Sequence, residues 1–430
     1  MSNTSPIAEG LPARAAALQV LGDVLRKRRP LDVALSATRA LPPRDAAFAR
    51  AIASETLRRF GQIEALVRHF VPKTPPPHKS GPALEILFAG TCELLFLNVP
   101  AHAAVDAANR LAQADNKAVH FKSLINAVLR RVSREGLGVL AEQDAAVLNT
   151  PDWLWLRWSD AYGERVTRAI SEAHAVPAPV DIVLKGDGAA PEGERLFGNV
   201  VRLRDQGRVD ALPGFDEGAW WVQDAAATLP ARLLSDVRGS QVIDLCAAPG
   251  GKTMQLAAAG GIVTSVDREA ERIARVRENL ARTKLEATVV EADVRDFKPD
   301  ELAPFVLLDA PCTATGTIRR HPDLPWIKSA SDVTLCEQGA GELLDAAAAM
   351  VAPGGLLVFA VCSLEPEECA NQADAFLQRN KQFVRAKLGA DDVFGMTELI
   401  SAEGDLRTLP CHLADKGGMD GFFAARFRRL

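Results

Sequence analysis

The spacing of apolar positions along the chain changes near residue 236. Over residues 11–135 the apolar side chains recur at helical intervals, as in Leu18, Leu21 and Leu25. Further predicted helices cover about 43–70, 82–96, 101–114 and 121–134. Proline-containing segments separate these runs, and proline favours helix ends. The pattern therefore predicts a small all-helical N-terminal domain.

The next stretch, residues 140–235, has a mixed pattern. Trp153 and Leu156 are predicted to lie on the buried face of a helix, and Asp181 to Lys185 has the character of a strand. We interpret this stretch as a small α+β connector.

From about residue 236, short apolar runs alternate with helical stretches. The predicted strands are Val242–Leu245, Ile262–Val266, Ala287–Val290, Phe305–Leu308 and Gly355–Val361, with Phe422–Phe427 as a final edge strand. Such alternation is typical of a parallel sheet with helices on both faces, an α/β Rossmann-like fold. The predicted domains are 1–140, helical; 141–235, connector; and 236–430, α/β.

One uncharged stretch, Ala346 to Leu364, is long enough to suggest a membrane span. Pro353-Gly354-Gly355 interrupts it, which favours a helix, a turn and a buried strand. Met1 to Gly10 lacks the basic start and apolar core of a secretory signal. We therefore expect a cytoplasmic protein without a membrane partner. The seven cysteines are odd in number and form no CxxC motif, so neither a disulfide framework nor a metal site is expected.

Charge is distributed unevenly. Residues 1–140 hold 19 Lys and Arg against 11 Asp and Glu, a net charge of +8, whereas the remaining residues hold 31 against 44, a net of −13. A basic module attached to an acidic one suggests that the first faces a polyanion. A solvated, arginine-rich surface explains the charge equally well, since Arg26 to Arg29, Arg58-Arg59 and Arg130-Arg131 lie near predicted helix ends.

A candidate cofactor site follows the first α/β strand. Asp244 to Lys252 reads Asp-Leu-Cys-Ala-Ala-Pro-Gly-Gly-Lys, and a glycine turn before a helix lets the backbone approach a ligand. Asp267, Asp293 and Asp309 are predicted to close the next three strands, at the edge where open α/β sheets bind ligands. Each alone could cap a helix. Neither the GxGxxG pattern nor P-loop spacing occurs, so a nucleoside without phosphates, such as S-adenosylmethionine, fits better than NAD.

Two cysteines follow strand ends at the same predicted edge. Cys312 comes just after the fourth strand and Cys362 ends the fifth, and these strands are neighbours in the common methyltransferase order. Either cysteine alone could be a buried hydrophobic residue. Together they suggest covalent catalysis by a thiolate. Thiolate addition to carbon 6 of cytosine would let carbon 5 attack a methyl donor.

Four motifs carry a resemblance to a known family. The segments 244–252, Asp-Ala-Pro-Cys-Thr-Ala-Thr-Gly at 309–316, Arg-Arg-His-Pro-Asp at 319–323 and Val-Cys-Ser at 361–363 resemble the RsmB/Sun (Fmu) group of RNA 5-methylcytosine methyltransferases. The helical region, with Pro-Ala-His-Ala-Ala at 100–104 and Asn-Ala-Val-Leu-Arg-Arg at 126–131, is similar to a NusB-type RNA-binding domain. The resemblance covers nearly the whole chain and implies a class I methyltransferase domain.

The resemblance also implies roles for individual residues. It implies that Cys362 is the nucleophile, that Cys312 assists release of the methylated product, and that Lys252 and Asp309 could contact the target base. The residues it implies for binding S-adenosylmethionine are Cys246, Ala247, Ala248, Pro249, Gly250, Gly251, Lys252, Asp267, Asp293 and Asp309. Val361 departs from the family pattern, which has Thr before the nucleophile.

The expected function is methylation of cytosine carbon 5 in small-subunit (16S) rRNA. A tRNA substrate and a non-catalytic, NusB-like RNA-binding or antitermination protein remain alternatives. An exocyclic-amine enzyme would need a different motif after the fourth strand, and a DNA enzyme would need a recognition insertion that the roughly 70 residues after Cys362 do not accommodate. RNA is the expected partner. The oligomeric state stays open, with a monomer favoured.

Overall fold

The computed structural model describes residues 10–71, 73, 75–186, 190–204 and 208–430. Residues 1–9 lie outside this range, and with them most of the segment for which the sequence predicts no secretory signal. The chain forms two compact units, residues 1–176 with 320–329, and residues 177–319 with 330–430. The boundary at 176 falls inside the range 141–235 that the sequence pattern marks as one connector.

The first unit is helical, as predicted. Its helices are α1 Leu11–Lys27, α2 Leu31–Ala34, α3 Pro43–Arg58, α4 Phe60–Phe70, α5 Pro77–Ser80, α6 Ala83–Leu95, α7 Ala101–Ala114, α8 Lys122–Ala141, α9 Ala145–Leu148, α10 Asp152–Tyr162 and α11 Glu164–His174. Fully buried aliphatic side chains such as Ile52, Leu57 and Ile63 form its core. Packing of these apolar stripes, more than helix propensity, stabilises such helices.

Two predictions for the helical unit are wrong in detail. The helix predicted over 43–70 breaks at Arg59, and in α4 a Cβ at Gly61 would lie 1.7 Å from the carbonyl oxygen of Leu148. Only glycine permits that close approach of α4 to the Leu148 carbonyl. On α10 the buried residues are Leu154 and Trp158, whereas Leu156 is 68% exposed.

The basic clusters of the helical unit are largely paired within it. Arg26 contacts Glu85, Lys27 lies 2.7 Å from Asp23, and Arg131 lies 2.9 Å from Glu135. Such intramolecular pairs reduce the charge available to a polyanion. Structural ion pairing therefore accounts for some of the cationic side chains of this region.

The second unit contains two sheets. Its strands are β1 Asp181–Leu184, β2 Gly193–Phe197, β3 Val200–Leu203, β4 Trp220–Val222, β5 Gln241–Leu245, β6 Ile262–Asp267, β7 Thr288–Glu291, β8 Ala303–Asp309, β9 Val351–Val361, β10 Phe383–Arg385, β11 Leu406–Thr408 and β12 Phe422–Arg429. The small sheet has the order β2-β3-β1-β4 and is antiparallel. The large sheet has the order β10-β12-β9-β8-β5-β6-β7, with β11 paired to β12. Its strands β5 to β9 are parallel, with β7 at the edge of the sheet.

The remaining helices are short or flank the large sheet. They are α12 Ala225–Arg232, α13 Gly251–Ala258, α14 Ala270–Thr283, α15 Leu324–Ile327, α16 Ala330–Ala349 and α17 Ala370–Arg379. The α/β prediction is thus confirmed, with two sheet strands misjudged. β12 is not an edge strand, because β10 and β11, each three residues long, pair outside it. β9 begins at Val351, and Pro353 to Gly355 form a bulge within it.

The uncharged stretch Ala346 to Leu364 comprises the end of α16 and strand β9. Among the helices that the structure describes, none has the length and apolarity needed to cross a membrane.

Residues 320–329 belong to the helical unit although they lie between β8 and α16 in sequence. Asp323 accepts the backbone N–H of Leu31 at 2.9 Å, and the carbonyl of Ile327 accepts the Arg28 guanidinium at 2.8 Å. The indole N–H of Trp326 donates to the carbonyl of Leu57 at 2.9 Å. The last four residues of the Arg-Arg-His-Pro-Asp motif therefore lie in a segment bonded to Arg28 just after α1, to the start of α2 and to α3.

Candidate active site

The loop from Cys246 to Lys252 connects β5 to α13. Gly250 has φ +100° and begins the helix, a conformation that L-residues with a Cβ rarely adopt. Its N–H donates to the carbonyl of Ala247 at 2.8 Å, and the N–H of Ala247 donates to Val266 at 3.1 Å. The predicted glycine turn is therefore present, and it is fixed to the end of β6.

Asp244, on β5 next to this loop, is fully buried. One carboxylate oxygen accepts the Thr253 hydroxyl at 2.6 Å, and the other has no protein partner. Burial raises the pKa of Asp244 to about 7, against the lowering effect of the Thr253 hydrogen bond. A buried acceptor without a partner at a ligand-binding sheet edge is a candidate contact for a bound group.

The three strand-end carboxylates occupy different environments. Asp267 ends β6 and accepts the N–H groups of Ala248 at 3.1 Å and Glu269 at 3.2 Å, so it joins the glycine loop to the strand. Asp293 lies two residues beyond the end of β7, not at the strand end as predicted. Its ion pair with Arg295 at 2.7 Å lowers its pKa to about 2.

Asp309 ends β8, as predicted, and pairs with Lys252. The distance from Lys252 Nζ to Asp309 Oδ2 is 2.7 Å, and the same ammonium lies 5.1 Å from the centroid of the Phe422 ring. The Lys252 side chain is 9% exposed and that of Asp309 is 31% exposed. The pair thus connects the glycine loop to the strand that precedes Cys312, with one side open to a ligand.

The two cysteines converge. β8 and β9 are adjacent and parallel, with Asp309 opposite Ala360, as the common methyltransferase order predicts. Cys362 directly follows β9, Cys312 follows β8 by three residues, and their Sγ atoms lie 3.5 Å apart. Both residues are half-buried. The pair therefore lies at the same sheet edge as the glycine loop.

Cys312 differs from three other cysteines in the main cause of its raised pKa. The pKa of Cys312 lies well above its ordinary value, first because of the hydrogen bond with Cys362 and then because of burial. For Cys246, Cys369 and Cys92, burial is the main cause, and it raises the pKa to about 12 in each. The raised pKa of Cys312 therefore reflects its contact with Cys362 before it reflects burial.

A buried network behind the thiols has no counterpart among the sequence predictions. Thr313 and Ser363, which follow Cys312 and Cys362 in the chain, both donate hydrogen bonds to Glu368. The sequence signals this network only through the position of the hydroxyl residues, one after each cysteine. Glu368 itself gives no signal, since Pro366-Glu367-Glu368 resembles an exposed acidic turn.

Comparisons with known proteins agree with this architecture. The family model described as 16S rRNA methyltransferase RsmB/F matches residues 231–428, and the NusB family model matches residues 11–134. Ribosomal RNA small subunit methyltransferase B of Cronobacter sakazakii is 35% identical over 416 residues, which cover 91% of this chain and 96% of that protein.

Solved structures show the same fold. The crystal structure of PH0851 matches with a TM-score of 0.77 and 22% identity, over 100% of both chains. The crystal structure of NSun6 from Pyrococcus horikoshii with SFG matches with a TM-score of 0.55 and 18% identity, over 65% of this chain and 98% of that one.

The sheet order, the glycine loop after β5 and the strand-end site define a Rossmann-like methyltransferase domain, preceded by a NusB-like helical region. The 35% identity to the Cronobacter sakazakii protein, over 91% of this chain, also identifies the family within this class. The chain belongs to the ribosomal RNA small subunit methyltransferase B family. The resemblance stated from the motifs is thereby confirmed.

Proposed function

We propose that this protein transfers a methyl group from S-adenosylmethionine to carbon 5 of a cytosine in small-subunit rRNA, through a covalent bond between Cys362 and carbon 6. The observation that carries the proposal is the thiol pair. Two half-buried cysteines, with sulfur atoms 3.5 Å apart, follow neighbouring strands at the sheet edge where this fold binds ligands. The names of the relatives favour small-subunit rRNA as the substrate.

The residues present fit S-adenosylmethionine. The loop 246–252 brings main-chain groups to the sheet edge, Asp267 fixes its position, and Asp244 keeps one buried oxygen without a protein partner. The sulfonium group of the cofactor would supply an electrophilic methyl group. The NSun6 structure, which was solved with SFG, supports a ligand site in this fold.

The proposed role of Cys362 is to activate carbon 5 of cytosine as a nucleophile. Carbon 5 of cytosine is a poor nucleophile, and addition of the Cys362 thiolate to carbon 6 forms an S–C bond that makes carbon 5 an enamine carbon. The Cys312 thiol, whose pKa is raised, is protonated when the base binds, and its S–H lies within reach of the Cys362 sulfur. The proton of Cys362 passes to solvent as its sulfur adds to carbon 6. The base must be unpaired or extruded from its stack to reach these groups.

Cys312 then serves product release. After methyl transfer carbon 5 carries both a methyl group and a proton, and that proton must leave before the S–C bond to Cys362 can break. Before this step the Cys312 thiol gives its own proton to solvent, and the resulting thiolate is a strong base because the pKa of Cys312 is raised. It takes the carbon 5 proton, and the electron pair left behind re-forms the ring double bond and expels the Cys362 thiolate. Lys252 and Asp309, paired at 2.7 Å, are proposed contacts of the base.

The test uses the full-length protein, methyl-labelled S-adenosylmethionine and small-subunit rRNA, with bisulfite sequencing to locate modified cytosines. Cys362→Ala should abolish transfer. Cys312→Ala should accumulate a protein–RNA adduct that survives a denaturing gel. Cys411→Ala is the matched control, because Cys411 is a half-buried cysteine outside the thiol pair, and it should react normally.

Undiminished activity of Cys362→Ala would overturn the covalent scheme. The same assay with tRNA separates the two RNA substrates, since label in tRNA but not in rRNA would show that the substrate assignment is wrong. Calorimetric titration with S-adenosylmethionine tests the non-catalytic alternative, because a protein that only binds RNA would take up none. Bisulfite sequencing of both RNAs from a strain lacking the protein provides the cellular counterpart.

A further inference from the structure

We infer that Glu368 is a positioning residue for the thiol pair: its carboxylate is the shared acceptor that joins the segment carrying Cys312 to the segment carrying Cys362. The inference deepens the proposed function and rests on it, since it assigns a role within the same site. Glu368 acts through the neighbours of the two cysteines, because its hydrogen bonds run to Thr313 and Ser363.

The contacts of Glu368 reach both segments. Its Oε1 accepts the backbone N–H of Thr313 at 2.8 Å, and its Oε2 accepts the Thr313 hydroxyl at 2.6 Å. Oε2 also accepts the hydroxyl of Ser363. Because Thr313 and Ser363 are the chain neighbours of the two cysteines, one carboxylate fixes the backbone next to each sulfur.

The network is sealed from solvent. Glu368, Thr313 and Ser363 are all 0% exposed. Burial raises the pKa of Glu368, while the hydrogen bonds from Ser363 and Thr313 act in the opposite direction. A buried carboxyl group is costly unless its oxygens are paired, and here three donors pair them. Burial of a fully paired carboxyl group is consistent with a role in holding the geometry of the neighbouring thiol pair.

An amide would not serve equally well at this position. In Glu368→Gln one acceptor oxygen becomes an NH2 donor, which would face either the backbone N–H of Thr313 or the hydroxyls of Thr313 and Ser363. Ser363 has little freedom to turn, because its Oγ already accepts the N–H of Glu365 at 3.0 Å. We therefore expect the substitution to loosen the two segments without emptying the space that Glu368 fills.

The proposed reaction makes this spacing important. The two sulfurs must act on adjacent ring atoms of one base, carbon 6 for addition and the carbon 5 proton for release. Misplacement of a reacting group by about 1 Å can cost about 100-fold in rate. A shift of either segment would therefore slow catalysis, whereas the glycine loop 246–252 that is proposed to bind the cofactor lies on another strand end.

The test compares Glu368→Gln with wild type in the full-length protein. At saturating S-adenosylmethionine and rRNA, we expect the turnover rate to fall about 10- to 100-fold, with cofactor Kd and KM for rRNA within about twofold of wild type. Glu301→Gln is the matched control, because Glu301 is exposed and precedes β8 at its opposite end. It should retain the wild-type rate.

Thr313→Val provides a second variant, which removes one donor to the same carboxylate. The double variant should be no slower than the slower single variant, because both substitutions break a shared hydrogen bond. Wild-type turnover by Glu368→Gln would overturn the inference. A fall in cofactor affinity by the same factor as turnover, together with a lower melting temperature, would also overturn it, since that pattern marks a purely structural residue.

A readout without methyl transfer separates this inference from the proposed function. Diamide takes up the two thiol hydrogens as it is reduced to its hydrazine, while an S–S bond forms between Cys312 and Cys362. If Glu368 sets the spacing, Glu368→Gln should form this bond at least about threefold more slowly than wild type or Glu301→Gln. If wild type methylates no RNA, the proposed function fails and this rate still decides the positioning role.

Discussion

Substitution of Asp244 tests whether this buried carboxyl group lowers the stability of the fold while it contributes to cofactor binding. The side chain lies in β5 with no exposed surface, and one of its oxygens has no protein partner. Its pKa moves from 3.8 to about 7 on folding, mainly because burial disfavours the charged form. Asp244→Asn keeps the size of the side chain and its acceptor toward Thr253, but removes the titration.

The sign and size of the effect follow from proton linkage. Because the folded-state pKa is raised, the contribution of Asp244 to stability is fully present below pH 3.8 and is lost as the pH rises to about 7. A change of one pKa unit corresponds to about 1.36 kcal/mol, so the loss is at most about 4 kcal/mol. Asp244→Asn should therefore gain stability relative to wild type between about pH 4.5 and 8, by up to about 10 °C in melting temperature.

The assay is thermal unfolding of both proteins across that pH range, with calorimetric titration of S-adenosylmethionine. Loss of the acceptor should weaken cofactor binding about 5- to 10-fold, the equivalent of one hydrogen bond. Asp300→Asn, at an exposed position before β8, should change neither quantity. A stability difference between Asp244→Asn and wild type that does not vary with pH would refute the linkage argument.

Three further substitutions, the last with its own control, probe the glycine loop, the Lys252–Asp309 pair and the helical unit. Gly250→Ala, at φ +100°, should cost about 1–3 kcal/mol and weaken cofactor binding, as seen by melting temperature and titration. Lys252→Met leaves Asp309 without its 2.7 Å partner and should lower turnover about 10- to 100-fold; an unchanged rate would show that the pair takes no part in the reaction. Trp326→Ala should destabilise the helical unit by about 3 kcal/mol in urea unfolding, whereas Leu156→Ala, at a 68% exposed position, should have little effect.

The parts of the fold that were predictable share one physical cause. The strands β5, β6, β8 and β9 are largely buried, so they read as short apolar runs, and the helices between them have the matching 3.6-residue period. The strand-end site followed from these elements, because parallel strands bring their carboxyl ends to one edge. The proximity of Cys312 and Cys362 was therefore predictable from the order of the strands, although their 3.5 Å separation was not.

What could not be predicted depends on partners distant in sequence. β10 has three residues, too few to show a period, and its pairing moves β12 from the edge into the interior of the sheet. Likewise, nothing in residues 320–329 identifies the junction between α1 and α2 as their neighbour, since the bonds from Arg28 and Leu31 use main-chain atoms or a single carboxylate. Such contacts leave no periodic pattern in either segment.

The same distinction explains why the cysteines could be predicted and Glu368 could not. Burial in a core accounts well for one thiol after a strand, but poorly for two thiols at the ends of neighbouring strands. A glutamate in a polar turn is expected to be exposed to solvent. Only the folded chain shows that Glu368 is buried and bonded to Thr313 and Ser363. Residues that react can therefore be read from local motifs, whereas residues that hold them in place are defined by tertiary contacts. For this reason the positioning role of Glu368 must be tested through the spacing of the two sulfurs rather than through the loss of activity alone.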